Sequence, residues 1–149
     1  MVYWFTGQPG AGKTVLGSKL HEFLKTEKRN WRRTVFHLDG DDLRELTVNK
    51  DYTPKGREIN IRNAQMITEY LHNNECDVVV SLVAPPRWLR EEFKERIGLE
   101  NFQEFYVHCS DPRERDHFHS KNYEAPQDNF IDVDTTKHSP EKSFSKIIN

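Results

Sequence analysis

Hydrophobic and polar positions along the chain change period repeatedly, and that alternation organises it. Val2 to Thr6 is a short apolar run broken by the glycines and proline of GQPGAG. From Lys13 to Leu24, Val15, Leu16, Leu20, Phe23 and Leu24 recur at helical spacing, so strand, loop and helix are expected in that order. Thr34 to Leu38 is β-branched and aromatic and runs into the acidic turn Asp39-Gly40-Asp41-Asp42, followed by a short segment from Asp42 to Leu46. Thr53 and Pro54 have the chemistry of an N-cap and a first helical residue, and they open a long pattern in which Ile59, Ile61, Ala64, Ile67, Tyr70 and Leu71 are expected to share one face.

Asp77 to Val83 reads DVVVSLV, apolar almost without alternation, as expected of a parallel strand covered on both faces. Arg87 to Ile97 reads as an amphipathic helix, Glu104 to Cys109 as a strand, Pro112 to His119 as a short helix and Phe130 to Val133 as a strand. Ser139-Pro140 caps a last helix. Strands alternating with helices predict an α/β fold, a three-layer α/β/α arrangement with a mostly parallel five-stranded sheet and right-handed crossovers. A length of 149 residues suits one domain spanning 1–149 with a core that needs no disulfides.

Composition narrows the function. Lys and Arg number 22 against 24 Asp and Glu, a net charge of -2, so no global field favours nucleic acid or an anionic membrane, and any anion site must be local. The opening MVYWFTGQPG lacks a basic leader region, and no apolar stretch approaches a membrane span, so a cytoplasmic protein is expected. Cys76 and Cys109 lack metal-ligand spacing and read as buried free thiols.

The chemistry begins with Gly7-Gln8-Pro9-Gly10-Ala11-Gly12-Lys13-Thr14, a complete G-x-x-x-x-G-K-[ST] phosphate loop between an expected strand and an expected helix. Backbone N–H groups of such a loop, with the helix N-terminus behind it, cradle phosphates. Lys13 reaches the β- and γ-phosphates, and the Thr14 hydroxyl can ligate Mg²⁺. The strand Val78 to Val83 ends in Ala84-Pro85-Pro86 with no carboxylate, so the acids of the site are sought instead in Asp39 and Asp41. A carboxylate there can take a proton from an acceptor hydroxyl or hold Mg²⁺ through water, Asp41 being the candidate for the second. A base-reading N-K-x-D motif is missing, which sets a GTPase aside.

Several further segments make the chain resemble adenylylsulfate kinases. Leu38 to Arg44, LDGDDLR, is similar to that family's L-D-G-D-N-x-R, and Tyr52-Thr53 to its aromatic-Ser pair. Arg57, Asn60, Ile61 and Arg62 follow its D-R-x-E-N-I-R-R; Ser81 to Arg87 resembles S-F-I-S-P-Y-R; Arg115-Asp116 resembles its R-D pair and Tyr123 to Pro126 its Y-E-x-P. The resemblance implies an ATP- and Mg²⁺-dependent kinase that phosphorylates the 3′-hydroxyl of adenosine 5′-phosphosulfate, with small nucleotides as partners and a homodimer as its assembly. It places Asp39, Asp41 and Lys13 at the reacting end, with Asp41 as general base. Arg44, Arg57 and Asn60 would hold the acceptor's phosphosulfate, Tyr52 would stack on its adenine, and Val83 and Ala84 would complete that site; Arg115 would stack on the ATP adenine. Arg62 and Arg87 would add positive charge.

Two departures stand out. Ala84 replaces the second serine of the S-x-x-S-P pattern, and the family's basic lid between R-D and Y-E-x-P is missing, Asp116 running through HFHSKN directly to Tyr123. Phe118 and Lys121 are the residues left to stand in for the lid. A shortened lid leaves two alternatives open beside the first reading: a kinase for another nucleotide-like acceptor such as cytidine diphosphoramidate, and a nucleotide-binding module without turnover.

Overall fold

The computed structural model describes residues 1–26, 33–111 and 119–149. The described residues form a sheet of five parallel strands in the order β2-β3-β1-β4-β5: β1 (Val2–Thr6), β2 (Val35–Asp39), β3 (Asp77–Ser81), β4 (Phe102–His108) and β5 (Phe130–Asp134). Helix α1 (Lys13–Thr26) follows β1, α2 (Gly40–Thr47) and α3 (Pro54–Asn73) lie between β2 and β3, α4 (Arg87–Ile97) between β3 and β4, and α5 (Pro140–Ile148) ends the chain. Helices on both faces make the three-layer α/β/α arrangement expected from the alternating pattern.

The pleat sorts the core into two layers. Val2 and Trp4 of β1 and Val78 and Val80 of β3 pack with Leu43, Ile61, Ala64, Leu89 and Phe93 of α2, α3 and α4. The alternate positions, Phe5, Val79, Phe105 and Val107, pack with Leu16, Leu20 and Leu24 of α1. All five residues of β3 are buried, as its unalternating run predicts.

Among the described residues no helix is long and apolar enough to cross a membrane.

Several boundaries and faces differ from expectation. The segment after β2 is a two-turn helix starting at Gly40, because the Asp39 carboxylate caps it by accepting from the Asp41 N–H at 2.9 Å. β4 starts two residues earlier than expected, since Phe102 pairs with Val2. The buried face of α3 is Gly56, Asn60, Ile61, Ala64, Gln65 and Thr68, whereas Ile59 and Tyr70 stand exposed. Apolar periodicity misplaced that face because Gln65 is polar yet buried, donating to the Leu89 carbonyl at 2.8 Å. Cys76 and Cys109 are free as expected, but half-buried rather than buried, since each lies just outside a strand. The expected helix from Pro112 falls almost wholly outside the described residues.

One charged cluster lies inside the layer between β4 and α4. The Glu104 carboxylate, fully buried, pairs with Arg90 Nε at 3.0 Å and Lys94 Nζ at 2.6 Å. Arg90 also donates to the carbonyls of Ala84, Pro85 and Glu124, and Lys94 to that of Asp128 at 3.1 Å. Removing the anion leaves the Arg90 guanidinium buried without a counter-charge and Lys94 with only the half-buried Glu91, 3.0 Å from its Nζ. Glu104→Ala is therefore expected to lower unfolding free energy by about 3–5 kcal/mol, read as a fall in the urea midpoint, while an exposed control such as Glu95→Ala shifts it little.

Candidate active site

Strand register assembles the site. Asp39, Ser81 and Phe5 lie side by side in neighbouring strands, so the ends of β2, β3 and β1 open onto one edge of the sheet. Ligands in open α/β sheets bind at that carboxyl edge. The phosphate loop leaves β1 there with Gly7, Gly10 and Gly12 at positive φ. A side chain at Gly7 would collide with the backbone carbonyl of Val107 in β4, so this position tolerates only glycine.

A cleft of about 340 Å³ opens on this edge. It brings together Lys13 and Thr14, Asp39 and Asp41, and then Arg44, Tyr52, Arg57, Asn60, Val83 and Ala84, which are distant in sequence. Pro9, Gly10 and Gly12 also line it, while Gln8 and Ala11 face a smaller cavity on the other side of the loop. Gly7 is buried beneath the loop. Arg115, expected on the ATP adenine, lies with Asp116 and Phe118 outside the described residues.

Lys13 Nζ donates to the Gln8 carbonyl at 2.9 Å, which folds the ammonium back over the loop. The Thr14 hydroxyl donates to Asp39 Oδ2 at 2.6 Å, while Oδ1 caps α2. One buried carboxylate thus fixes both the hydroxyl at the start of α1 and the start of α2. Asp41 is exposed at the mouth of the same cleft.

The far end of the cleft is cationic and aromatic. The guanidinium carbons of Arg44 and Arg57 stand 4.0 and 5.6 Å from the centre of the Tyr52 ring. Burial, with Arg44 adding to it, pulls the Arg57 pKa below its ordinary value. One nitrogen of Arg44 holds the loop before α3: its NH1 donates to the carbonyls of Asn49 and Asp51 and to Asn49 Oδ1, at 2.9 to 3.2 Å. Ala84 sits at φ +45°, in the left-handed region, with its carbonyl held by Arg90. Arg62 and Arg87 do not reach the cleft. Arg62 pairs with Glu58 and Glu92, and Arg87 with Glu124 and the Ala125 carbonyl. Their spacing puts them on helix faces that turn toward those acids.

Two groups were not singled out from the sequence as parts of a site. Ser81 lines the cleft and donates to the Lys13 carbonyl at 3.2 Å, and His37 Nε2 lies 2.9 Å from the Ser81 oxygen. Since that hydroxyl donates onward, His37 donates to it. Gly17 lets α1 come this close, because a Cβ there would strike both Ser81 and His37. The signal was a single polar residue interrupting each of two apolar strands. On the other side, Tyr123 donates to Thr6 Oγ1 at 3.0 Å and Thr6 to the Val83 carbonyl at 2.9 Å; burial pushes the Tyr123 hydroxyl up to about 12.

The model for the family described as adenylylsulphate kinase matches residues 1–143. The chain belongs to that family. It is 34% identical to the adenylyl-sulfate kinase of Halothermothrix orenii, over 97% of this chain and 85% of that one. It is also 28% identical to the cytidine diphosphoramidate kinase of Campylobacter jejuni, over 94% and 81%. A solved structure of a hexameric APS kinase from Thiobacillus denitrificans superposes with a TM-score of 0.76 at 26% identity, over 99% of this chain and 28% of that longer one. As a member of the family the chain is a kinase, with ATP as co-substrate and a hydroxyl group as acceptor.

Burial is the main cause that lowers the His37 pKa, offset in part by Asp39. In the unfolded chain the imidazole titrates near 6.5, so it takes up a proton there before the folded site does, and acid favours unfolding. Stability should therefore fall as pH drops below about 6.5, and His37→Gln should flatten that fall in urea titrations between about pH 7.5 and 5.5.

Proposed function

We propose that the protein transfers the γ-phosphoryl group of ATP to the 3′-hydroxyl of adenosine 5′-phosphosulfate, giving 3′-phosphoadenosine 5′-phosphosulfate and ADP. The observation that carries this reading is the single cleft in which the phosphate loop and two aspartates face a corner of two guanidiniums and a tyrosine ring. The first half suits the phosphates of ATP. The second suits an acceptor with an anionic tail and a planar base, and a volume of about 340 Å³ is in the range of small-molecule sites.

In this reading the backbone N–H groups from Gly7 to Thr14 cradle the ATP phosphates, and Lys13 leaves the Gln8 carbonyl to neutralise the β- and γ-oxygens. Arg57 and Asn60, steadied by Arg44, take the phosphosulfate, Tyr52 stacks on the acceptor adenine, and Val83 and Ala84 wall that end. Arg115 is assigned to the ATP adenine. Asp41 accepts the proton of the 3′-hydroxyl as the new O–P bond forms and the bond from the γ-phosphorus to its bridging oxygen breaks, leaving ADP.

The donor set at Thr14 and Asp39, a hydroxyl and a carboxylate 2.6 Å apart, fits Mg²⁺, which prefers hard oxygen ligands and retains waters. Thr14 would ligate it directly, with Asp39, and Asp41 from the mouth, reaching it through water. When bound, Mg²⁺ offsets negative charge on the transferring phosphates. Retention of Lys13, Thr14, Asp39 and Asp41 speaks against a module without turnover.

Purified protein with ATP, Mg²⁺ and adenosine 5′-phosphosulfate is expected to yield ADP and the 3′-phosphorylated product in equal amounts. ADP formed with cytidine diphosphoramidate but not with the phosphosulfate would refute the acceptor assignment, and ATP binding without turnover on either would refute the kinase reading. Lys13→Ala and Asp41→Ala should each lower kcat by roughly 10²-fold or more with the fold retained by circular dichroism. Near-full activity in Asp41→Ala would remove that residue from the role of base.

A further inference from the structure

The segment that carries the short connection back to the core is fastened directly onto the phosphate loop. The side-chain amide of Gln8 meets the backbone of Ser120 on both sides: Nε2 donates to the Ser120 carbonyl at 2.9 Å, and Oε1 accepts from the Ser120 N–H at 2.9 Å. The side chain thus pairs with one residue of main chain much as a neighbouring strand would. Next to it, His119 Nε2 lies 3.1 Å from the Pro9 carbonyl, and four residues beyond His119, Tyr123 is tied to Thr6 at the end of β1. Residues 119 to 123 are stapled to residues 6 to 9 at three points, and the bidentate one is Gln8.

Gln8 also acts at the catalytic end. Its own carbonyl accepts from Lys13 Nζ, so one residue joins the phosphate-binding ammonium to the connection. A second cavity, of about 140 Å³, lies beside the loop on the face away from the acceptor corner. Gln8, Pro9, Gly10 and Ala11 form its floor, and Tyr106 and His119 are among its walls. In the proposed kinase reading the nucleoside of a triphosphate held by the loop is assigned to this cavity, since Tyr52 and Arg57 line the other one.

We propose that Gln8 is a positioning residue for the donor nucleotide: its amide clamps Ser120 to the phosphate loop and so prebuilds the wall that His119 gives to the nucleoside cavity. This does with one side chain part of what a long closing lid does by folding over its substrate. A prebuilt wall spares the bound nucleotide the ordering of a mobile segment, so the clamp should act on ATP affinity rather than on the acceptor. The inference rests on the kinase reading only in naming ATP as the occupant.

The test uses full-length protein and three readouts: hydrogen exchange at the Ser120 amide, the dissociation constant of a non-hydrolysable ATP analogue by calorimetry, and KM for each substrate. In the wild type the Ser120 amide should exchange slowly. In Gln8→Leu, close to glutamine in volume but without polar atoms, that amide should exchange fast, and the analogue's dissociation constant and the KM for ATP should rise about tenfold, consistent with the loss of two hydrogen bonds. KM for the acceptor should stay at its wild-type value. Gln8→Asn, the same amide one methylene short, should behave like Gln8→Leu.

Unchanged ATP affinity in Gln8→Leu, full affinity in Gln8→Asn, an equal rise in both KM values, or fast exchange of Ser120 in the wild type would each overturn the proposal. A wild type that binds the analogue but turns over no acceptor would refute the kinase reading, and the affinity and exchange readouts would still decide the role of Gln8.

Discussion

A carboxylate buried between two cations ties the walls of this cleft to the sheet. Glu104 points from β4 into the layer under α4, where it is fully buried between Arg90 and Lys94. The remaining donors of Arg90 reach three backbone carbonyls: those of Ala84 and Pro85, at the rim of the acceptor corner, and that of Glu124 in the returning segment. A buried guanidinium can be satisfied in so few ways that it sets the positions of all three. The left-handed backbone at Ala84 persists because Arg90 holds its carbonyl.

From that anchor a chain of contacts leads to the phosphate loop. Glu124 adjoins Tyr123, whose hydroxyl donates to Thr6, and Thr6 in turn donates to Val83. The end of β1 is therefore gripped from the returning segment and from the loop after β3, immediately before the loop begins at Gly7. On the opposite face, Ser81, itself held by His37, donates to the Lys13 carbonyl, and Asp39 holds Thr14. The loop carries glycines with wide conformational freedom, and rigid neighbours on both sides select one shape from it.

The cleft has two chemically different ends. Its phosphate-loop end offers backbone dipoles, one lysine and the start of α1, whereas its far end gathers Arg44 and Arg57 around Tyr52. Asp39 and Asp41 line the same cleft as these cationic groups. A net charge of -2 for the whole chain hides this arrangement completely.

The sequence by itself determined the class of fold and the identity of the phosphate loop. Apolar period alone separates the buried run of β3 from the helix patterns around it, and the Thr53-Pro54 and Ser139-Pro140 caps act through local chemistry that needs no partner. The glycines, Lys13 and Thr14 were legible because their spacing is itself the structure of the loop. The resemblance also picked out Asp39, Asp41, Arg44, Tyr52, Arg57 and Asn60, and the fold brings all of them to one cleft. Tertiary structure alone decided which polar residues are inside and whom they serve: Gln65 on α3, Glu104 under α4, His37 behind Ser81, and Arg62 turned toward Glu58 and Glu92. A polar side chain reads as a surface residue until its partner is known, and apart from Glu58, one turn from Arg62 on α3, these partners lie on other elements, at separations that no local period encodes.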